Sequence, residues 1–167
     1  MAIGQVLSMT PLALDSDVLD DWRYQKPYVK HKIDQYFFDH KRLPALTAVT
    51  VFEALQGFEI AANQASANKA LLQRDRNEIE KLIQDCGLLP SGGVPTGILI
   101  FDQNAARIAA YIAGKLTGRK ILKDIFIVST ALAHRHGVAT RNERDFKLIA
   151  NHLPPSHPVL RLAIWKP

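Results

Sequence analysis

Five short apolar stretches, each divided from the next by a segment of helical periodicity, constrain this chain more than anything else in it. They are Leu12–Leu14, Ala45–Leu46, Ile98–Phe101, Val138–Thr140 and Val159–Leu162. Between them, apolar residues recur at helical spacing. The spacing predicts helices over Tyr28–His40, from Thr47 to about Ala61, and over Asn68–Asp85. It predicts three more: one after Asp102, one from Asp124 toward His136, and a short one over Arg144–Ala150. Pro44 breaks the first pattern, Gly87 and Gly118 stop later ones, and Gly137 closes the helix begun at Asp124. Strands that alternate with helices return in the same direction, so the expected fold is α/β, a parallel sheet of about five strands covered on both faces. The 167 residues form one domain, with residues 1–10 as an N-terminal extension. Pro90–Gly97 is a loop by composition, too short to be a domain linker.

Composition narrows the function classes. With 47% hydrophobic and 22% charged residues, the chain is of the ordinary globular kind. No apolar run approaches the roughly 20 residues needed to span a bilayer, so no membrane role is expected. The first ten residues lack a basic leader and a sustained apolar core, and do not read as a signal peptide. Cys86, the only cysteine, excludes an internal disulfide and a cysteine-rich metal site, and suits a reducing cytoplasm. The six histidines form no metal-spaced set. The net charge of +5 is unevenly placed, since Gly118–Pro167 holds nine Lys/Arg against three acids. That bias suits a polyanionic partner, although a solvated basic surface accounts for charge alone.

The acids are more informative. Asp15 follows the first strand, Glu53 lies early in the helix after the second, Asp124 opens an apolar helix, and Asp145 comes just beyond the fourth strand. Each has a local alternative. Asp15 or Asp17 can cap the helix that follows, Thr50 and Glu53 match a capping box, and Asp124 and Asp145 suit helix starts. Taken together, all four sit at strand ends or helix starts and point to one rim of the sheet. If strand one lies between strands two and four, the strand order reverses there and leaves a crevice. Clustered carboxylates raise one another's pKa, and a hard divalent cation relieves the repulsion.

Five pieces, in order, resemble the PIN-domain nucleases, and among them the VapC-type toxins of toxin–antitoxin pairs. They are Leu14–Leu19, Thr47–Gly57, Ile100–Asp102 with the Ala-rich helix after it, Asp124–Ala133 and Thr140–Phe146. The resemblance runs from Leu12 to Trp165. It implies a PIN-like three-layer α/β/α fold and a metal-dependent endoribonuclease. Asp15, Glu53, Asp124 and Asp145 would surround Mg²⁺ or Mn²⁺, with Thr140 and Asn142 as polar helpers, while Asp102 would be a helix cap. It also implies a VapB-like antitoxin partner and a homodimer. Trp22, Tyr36, Phe37 and Phe38 are candidates for the antitoxin groove, with a core role the simpler account. Two departures stand out: Asp17 where the family often has Asn, an added carboxylate that either caps the helix, the simpler account, or acts as a secondary polar group that alters metal binding, and Lys123 directly before Asp124, able to neutralise the site or to contact a phosphate.

The expected chemistry is hydrolysis of RNA phosphodiester bonds, with Lys123, Arg141 and Arg144 on the RNA backbone and affinity that falls steeply with salt. Two alternatives keep the fold: a catalytically inactive RNA-binding module, and a structure-specific DNA nuclease, for whose extra helices 167 residues leave little room. A phospho-receiver domain would need an acceptor Asp at the third strand and a Lys at the last, and neither is evident.

Overall fold

The computed structural model describes residues 10–64, 68–87 and 97–167. Residues 1–9 of the N-terminal extension, and the 90–97 loop up to residue 96, lie outside them. The chain order begins β1 (Leu12–Leu14), α1 (Ser16–Arg23), α2 (Pro27–His40), β2 (Ala45–Thr47), α3 (Ala48–Ala62) and α4 (Lys69–Gly87). It continues with β3 (Ile98–Leu99), α5 (Gln103–Lys115), α6 (Leu122–Ala133), β4 (Gly137–Thr140), α7 (Glu143–Ala150) and β5 (Leu162–Ile164). The strands form one parallel sheet in the order β3-β2-β1-β4-β5.

The sheet is buried on both faces because successive side chains of its strands point opposite ways. Ala13, Ala45, Leu99 and Val138 join a core built with α5, α6 and α7, where Ile112, Ile127, Phe146 and Ile149 are fully enclosed. Leu12, Leu14, Leu46 and Ala139 face the other way, onto Val18, Leu19 and Trp22 of α1, Val29, Ile33 and Tyr36 of α2, and Ile79 of α4. The result is the expected three-layer α/β/α arrangement. Each large apolar side chain enclosed in this way contributes about 1.5–3 kcal/mol. Helix α3 is different. Its Val51, Ala54, Leu55 and Phe58 only lean on the second core, and Thr50 is its one fully buried side chain.

Two strands depart from the expected bounds. β3 stops at Leu99, and Ile100 and Phe101 are exposed, because the chain is already turning toward Asp102, which caps α5 by accepting from the Ala105 N–H at 2.8 Å. β5 begins at Leu162 rather than Val159, which is 53% exposed. Its register is set by β4, Val138 opposite Leu162 and Thr140 opposite Ile164, and not by local apolar density. The close approach of β4 and β5 needs a glycine, since a Cβ on Gly137 would stand 2.5 Å from the Arg161 carbonyl oxygen.

Strand order reverses at β1, which pairs with β2 on one side and β4 on the other. The crevice of an α/β sheet lies at the carboxyl ends of such strands. Asp15 follows β1 there, and its backbone N–H extends the pairing by donating to the Ala139 carbonyl at 2.9 Å.

Candidate functional site

Asp15 is 3% exposed and is itself the N-cap of α1, so the sequence expectation that Asp17 would cap is corrected. The cap must be the residue whose backbone is still extended as it leaves the strand, and that is Asp15 (ψ 158°). Its Oδ1 accepts from the Ser16 N–H at 2.8 Å, and its Oδ2 accepts from the Thr140 hydroxyl at 2.8 Å. Burial pushes the Asp15 carboxyl up to about 6, against the lowering by those two hydrogen bonds, and the charges of Asp17 and Glu53 add to the rise. Asp17 stands in the first turn of α1 with its carboxylate 3.7 Å from Arg141.

Glu53 belongs to no capping box. Thr47 is the N-cap of α3 and accepts from the Thr50 N–H at 3.0 Å, while the Thr50 hydroxyl donates to the Leu14 carbonyl at 3.0 Å and ties α3 to β1. Glu53, one turn on, is left facing Lys123, whose Nζ is 3.1 Å from its Oε1 and donates to Gln56 Oε1 at 3.3 Å.

Asp124 lies in the first turn of α6 but does not cap it. Ile121 holds that position without a side-chain hydrogen bond, and Asp124 is free to face the rim. Burial first, then the charges of Asp15, Asp145, Glu53 and Asp17, push its carboxyl up to about 7. It is the one member of the set with no hydrogen bond or ion pair to another described residue.

Asp145 sits in the first turn of α7, whose N-cap is Asn142. The Asn142 amide donates to Asp145 Oδ2 at 3.1 Å, and the Arg144 guanidinium lies 3.0 Å from Oδ1. Hydrogen bonds from Arg144 and Asn142 hold this carboxyl below the usual carboxylate range. The Thr140 hydroxyl also accepts from the Asn142 N–H at 2.9 Å, so the turn after β4 braces Asp15 and Asp145 together.

The three basic residues expected on an RNA backbone are each paired with a carboxylate of the chain, Lys123 and Arg144 from the exposed surface. Lys123 is on Glu53, Arg144 on Asp145, and Arg141 on Asp21 at 2.8 Å. Asp21 was not singled out in the sequence. It is 2% exposed, takes Lys26 Nζ at 2.5 Å, and accepts a hydrogen bond from the Tyr28 hydroxyl. Burial alone would raise its carboxyl, but Lys26, Tyr28 and Arg141 together hold it below the ordinary value. Its trace in the sequence is positional: an acid three residues after Val18 and beside Trp22 falls on the buried face of α1. Of the four aromatic candidates for a groove, Trp22 and Tyr36 are core, whereas Phe37 and Phe38 are 49% and 72% exposed.

The donors at this rim are carboxylate, hydroxyl and amide oxygens, the set preferred by a hard divalent cation. Among the described residues, no three Asp, Glu, His or Cys side chains stand close enough together to coordinate an ion as arranged. They do share one electrostatic field, which raises the Asp124 carboxyl, and Asp124 has no hydrogen bond or ion pair of its own with another described residue. A cavity of about 490 Å³ opens beside the acids between α1, α3 and α4, with Asp17, Glu53 and Lys123 in its wall. No described helix is long and apolar enough to cross a membrane.

No protein-family model and no curated sequence matches the chain. Solved structures do. It is similar to a chain of DNA-bound VapBC from Salmonella typhimurium, with TM-score 0.63 at 17% identity, covering 95% of this chain and 100% of that one. It is similar to a chain of FitAcB from Neisseria gonorrhoeae, with TM-score 0.61 at 23% identity over 93% and 96%. A chain of VapBC-5 from Mycobacterium tuberculosis, a member of the VapBC family of toxin–antitoxin systems, gives 0.55 at 18% over 95% and 99%. At these identities the likeness is one of fold, the PIN-like α/β/α arrangement described above.

Proposed function

We propose that this chain is a metal-dependent endoribonuclease of the PIN-domain, VapC-type kind, the toxin of a toxin–antitoxin pair with a VapB-like antitoxin as its partner. The observation that carries the reading is the pair of raised carboxyls, the buried Asp15 and the half-buried Asp124, at the point where strand order reverses. Ionised together without compensation they repel, and groups perturbed in this way by burial and by each other mark functional sites. Complexes of toxin with antitoxin among the structures sharing this fold support the biological half.

Asp15, Asp124, Glu53 and Asp145 would hold Mg²⁺ or Mn²⁺, which when bound supplies positive charge to the scissile phosphate and to the departing 3′-oxygen. Thr140 fixes Asp15 through its hydroxyl, and Asn142 fixes Asp145. One of the carboxylates would take a proton from the attacking water, and Asp124, with neither an ion pair nor a hydrogen bond to another described residue, would be the one free to do so. Lys123 and Arg144 keep Glu53 and Asp145 partly neutralised until RNA and cation arrive. Arg141 stays anchored on Asp21 and holds the Thr140–Asn142 turn.

Asp15→Asn and Asp124→Asn should each abolish Mg²⁺-dependent cleavage of a mixed RNA substrate, with circular dichroism unchanged. Cleavage at the wild-type rate by both variants would sink the assignment. The engaged state of Glu53 and Asp145 also favours a second reading, an RNA-binding module without turnover, and the same assay on the unaltered chain separates the two.

A further inference from the structure

The basic residues of this protein fall into two groups. Around the acidic rim each basic side chain considered above is matched to a carboxylate. Away from it, between α2 and the edge strand β5, a cavity of about 490 Å³ is lined by Lys32, His40 and Arg161, with Asp39 the only acid of its lining among the described residues. None of these is in an ion pair within 4 Å with another described residue, although Arg161 donates to the Thr10 carbonyl. The field there is positive. His40 is pushed down by burial and by the charges of Arg161 and Arg42, which outweigh Asp39. The C-terminal dipole of α2 accounts for cations at residues 40–42. It does not account for Lys32, two turns back, or for Arg161, on a different element.

The rest of the wall is apolar and partly aromatic. Residues 161, 163 and 165 alternate onto one face, so Ala163 and Trp165 line the cavity above Arg161. Tyr36 forms the opposite side, fixed by accepting the Leu12 N–H on its hydroxyl at 3.1 Å and stacked on the His40 ring at 4.2 Å between centroids. Asp39 and Gln35 add a carboxylate and an amide along the same helix. Concave sites of this size with an apolar wall and a few convergent polar groups are the kind that take small ligands.

We infer that the cavity between α2 and β5 binds a nucleoside phosphate, either free or as one unit of an RNA strand, separately from the acidic rim. The phosphate would meet Lys32 and Arg161 with the His40 ring beside them, Asp39 would accept from the ribose hydroxyls, and the base would lie against the Tyr36 and Trp165 side. Only a ligand with all three parts uses the cations, the lone acid and the aromatic wall together.

Adenosine 5′-monophosphate, inorganic phosphate and a short oligoribonucleotide are titrated into the full chain in EDTA, with the Trp165 indole N–H followed by NMR. Expected is saturable perturbation of Trp165 by the monophosphate, weakened at least fivefold by Lys32→Glu and by Arg161→Gln, and unchanged by Asp124→Asn. Perturbation by the oligoribonucleotide alone, with the same variant sensitivity, places the site on an RNA path and also supports the inference. Equal affinity for inorganic phosphate overturns it, as does binding insensitive to Lys32→Glu, a change at an exposed residue outside the core. Failure here leaves the nuclease assignment untouched, because its test reads the acidic rim.

Discussion

Replacing Asp21 by Asn should destabilise the fold and, through Arg141, slow the chemistry. Asp21 is enclosed, with Lys26 Nζ at 2.5 Å, an Arg141 Nη at 2.8 Å and the Tyr28 hydroxyl on the same carboxylate. Hydrogen bonds to a charged group contribute about 1.5–3 kcal/mol each, and breaking a fully buried pair costs roughly 3–5 kcal/mol. Lys26 and Arg141 are 43% and 37% exposed, so water recovers them, and Asn keeps one acceptor for Tyr28. The net loss should be about 2 kcal/mol, read as a lower urea midpoint at unchanged slope. Because the folded carboxyl lies below its ordinary value, this stability is present above the unfolded value and is lost as pH falls through the folded one. The difference between the two proteins should therefore be full at pH 7 and shrink below about pH 4. Arg141, once released, no longer holds the turn that braces Asp15 and Asp145, and RNA cleavage should fall about tenfold. An unchanged midpoint, or a loss as large at pH 3 as at pH 7, would refute the reasoning.

Two further substitutions probe the rim. Asp124→Asn removes a carboxyl raised to about 7 by burial and by four neighbouring acids, so the inactive variant should be more stable than the parent at pH 8, by about 1–2 kcal/mol; thermal unfolding without Mg²⁺ measures this, and a lower midpoint would contradict it. Lys123→Ala leaves Glu53 without its cation at 3.1 Å, and as the lysine is 53% exposed the stability should change by less than about 0.5 kcal/mol. The Mg²⁺ concentration for half-maximal cleavage should fall several-fold, whereas a rise would mean that Lys123 serves the RNA instead.

The layers of this fold were legible because β1 and β4 are short apolar runs bounded by helices with clean periodicity. β5 was misplaced because its register comes from hydrogen bonding to β4, which no local pattern encodes. The acids of the rim could be read from their address at strand ends and helix starts. Their partners could not. Lys123 meets Glu53 seventy residues away in sequence, and Thr140 meets Asp15 across 125, contacts made only once the sheet is assembled. The spacing of Asp21 from Val18 puts it on the buried face of α1, unlike the exposed Asp20 beside it, but its partner Arg141 arrives only with the loop after β4.

The pairing of the basic residues bears on how tightly any nucleic acid would be held. A cation contributes to the salt dependence of binding only if its contact with phosphate expels a counterion, with a slope near −0.7 per contact for single strands. Lys123, Arg141 and Arg144 are already satisfied by carboxylates of their own chain. Exchanging an internal carboxylate for a phosphate liberates few dissolved ions. The excess of basic residues in the last third therefore overstates the valence seen by a polyanion, and a plot of log affinity against log salt should be shallower than a count of those residues suggests.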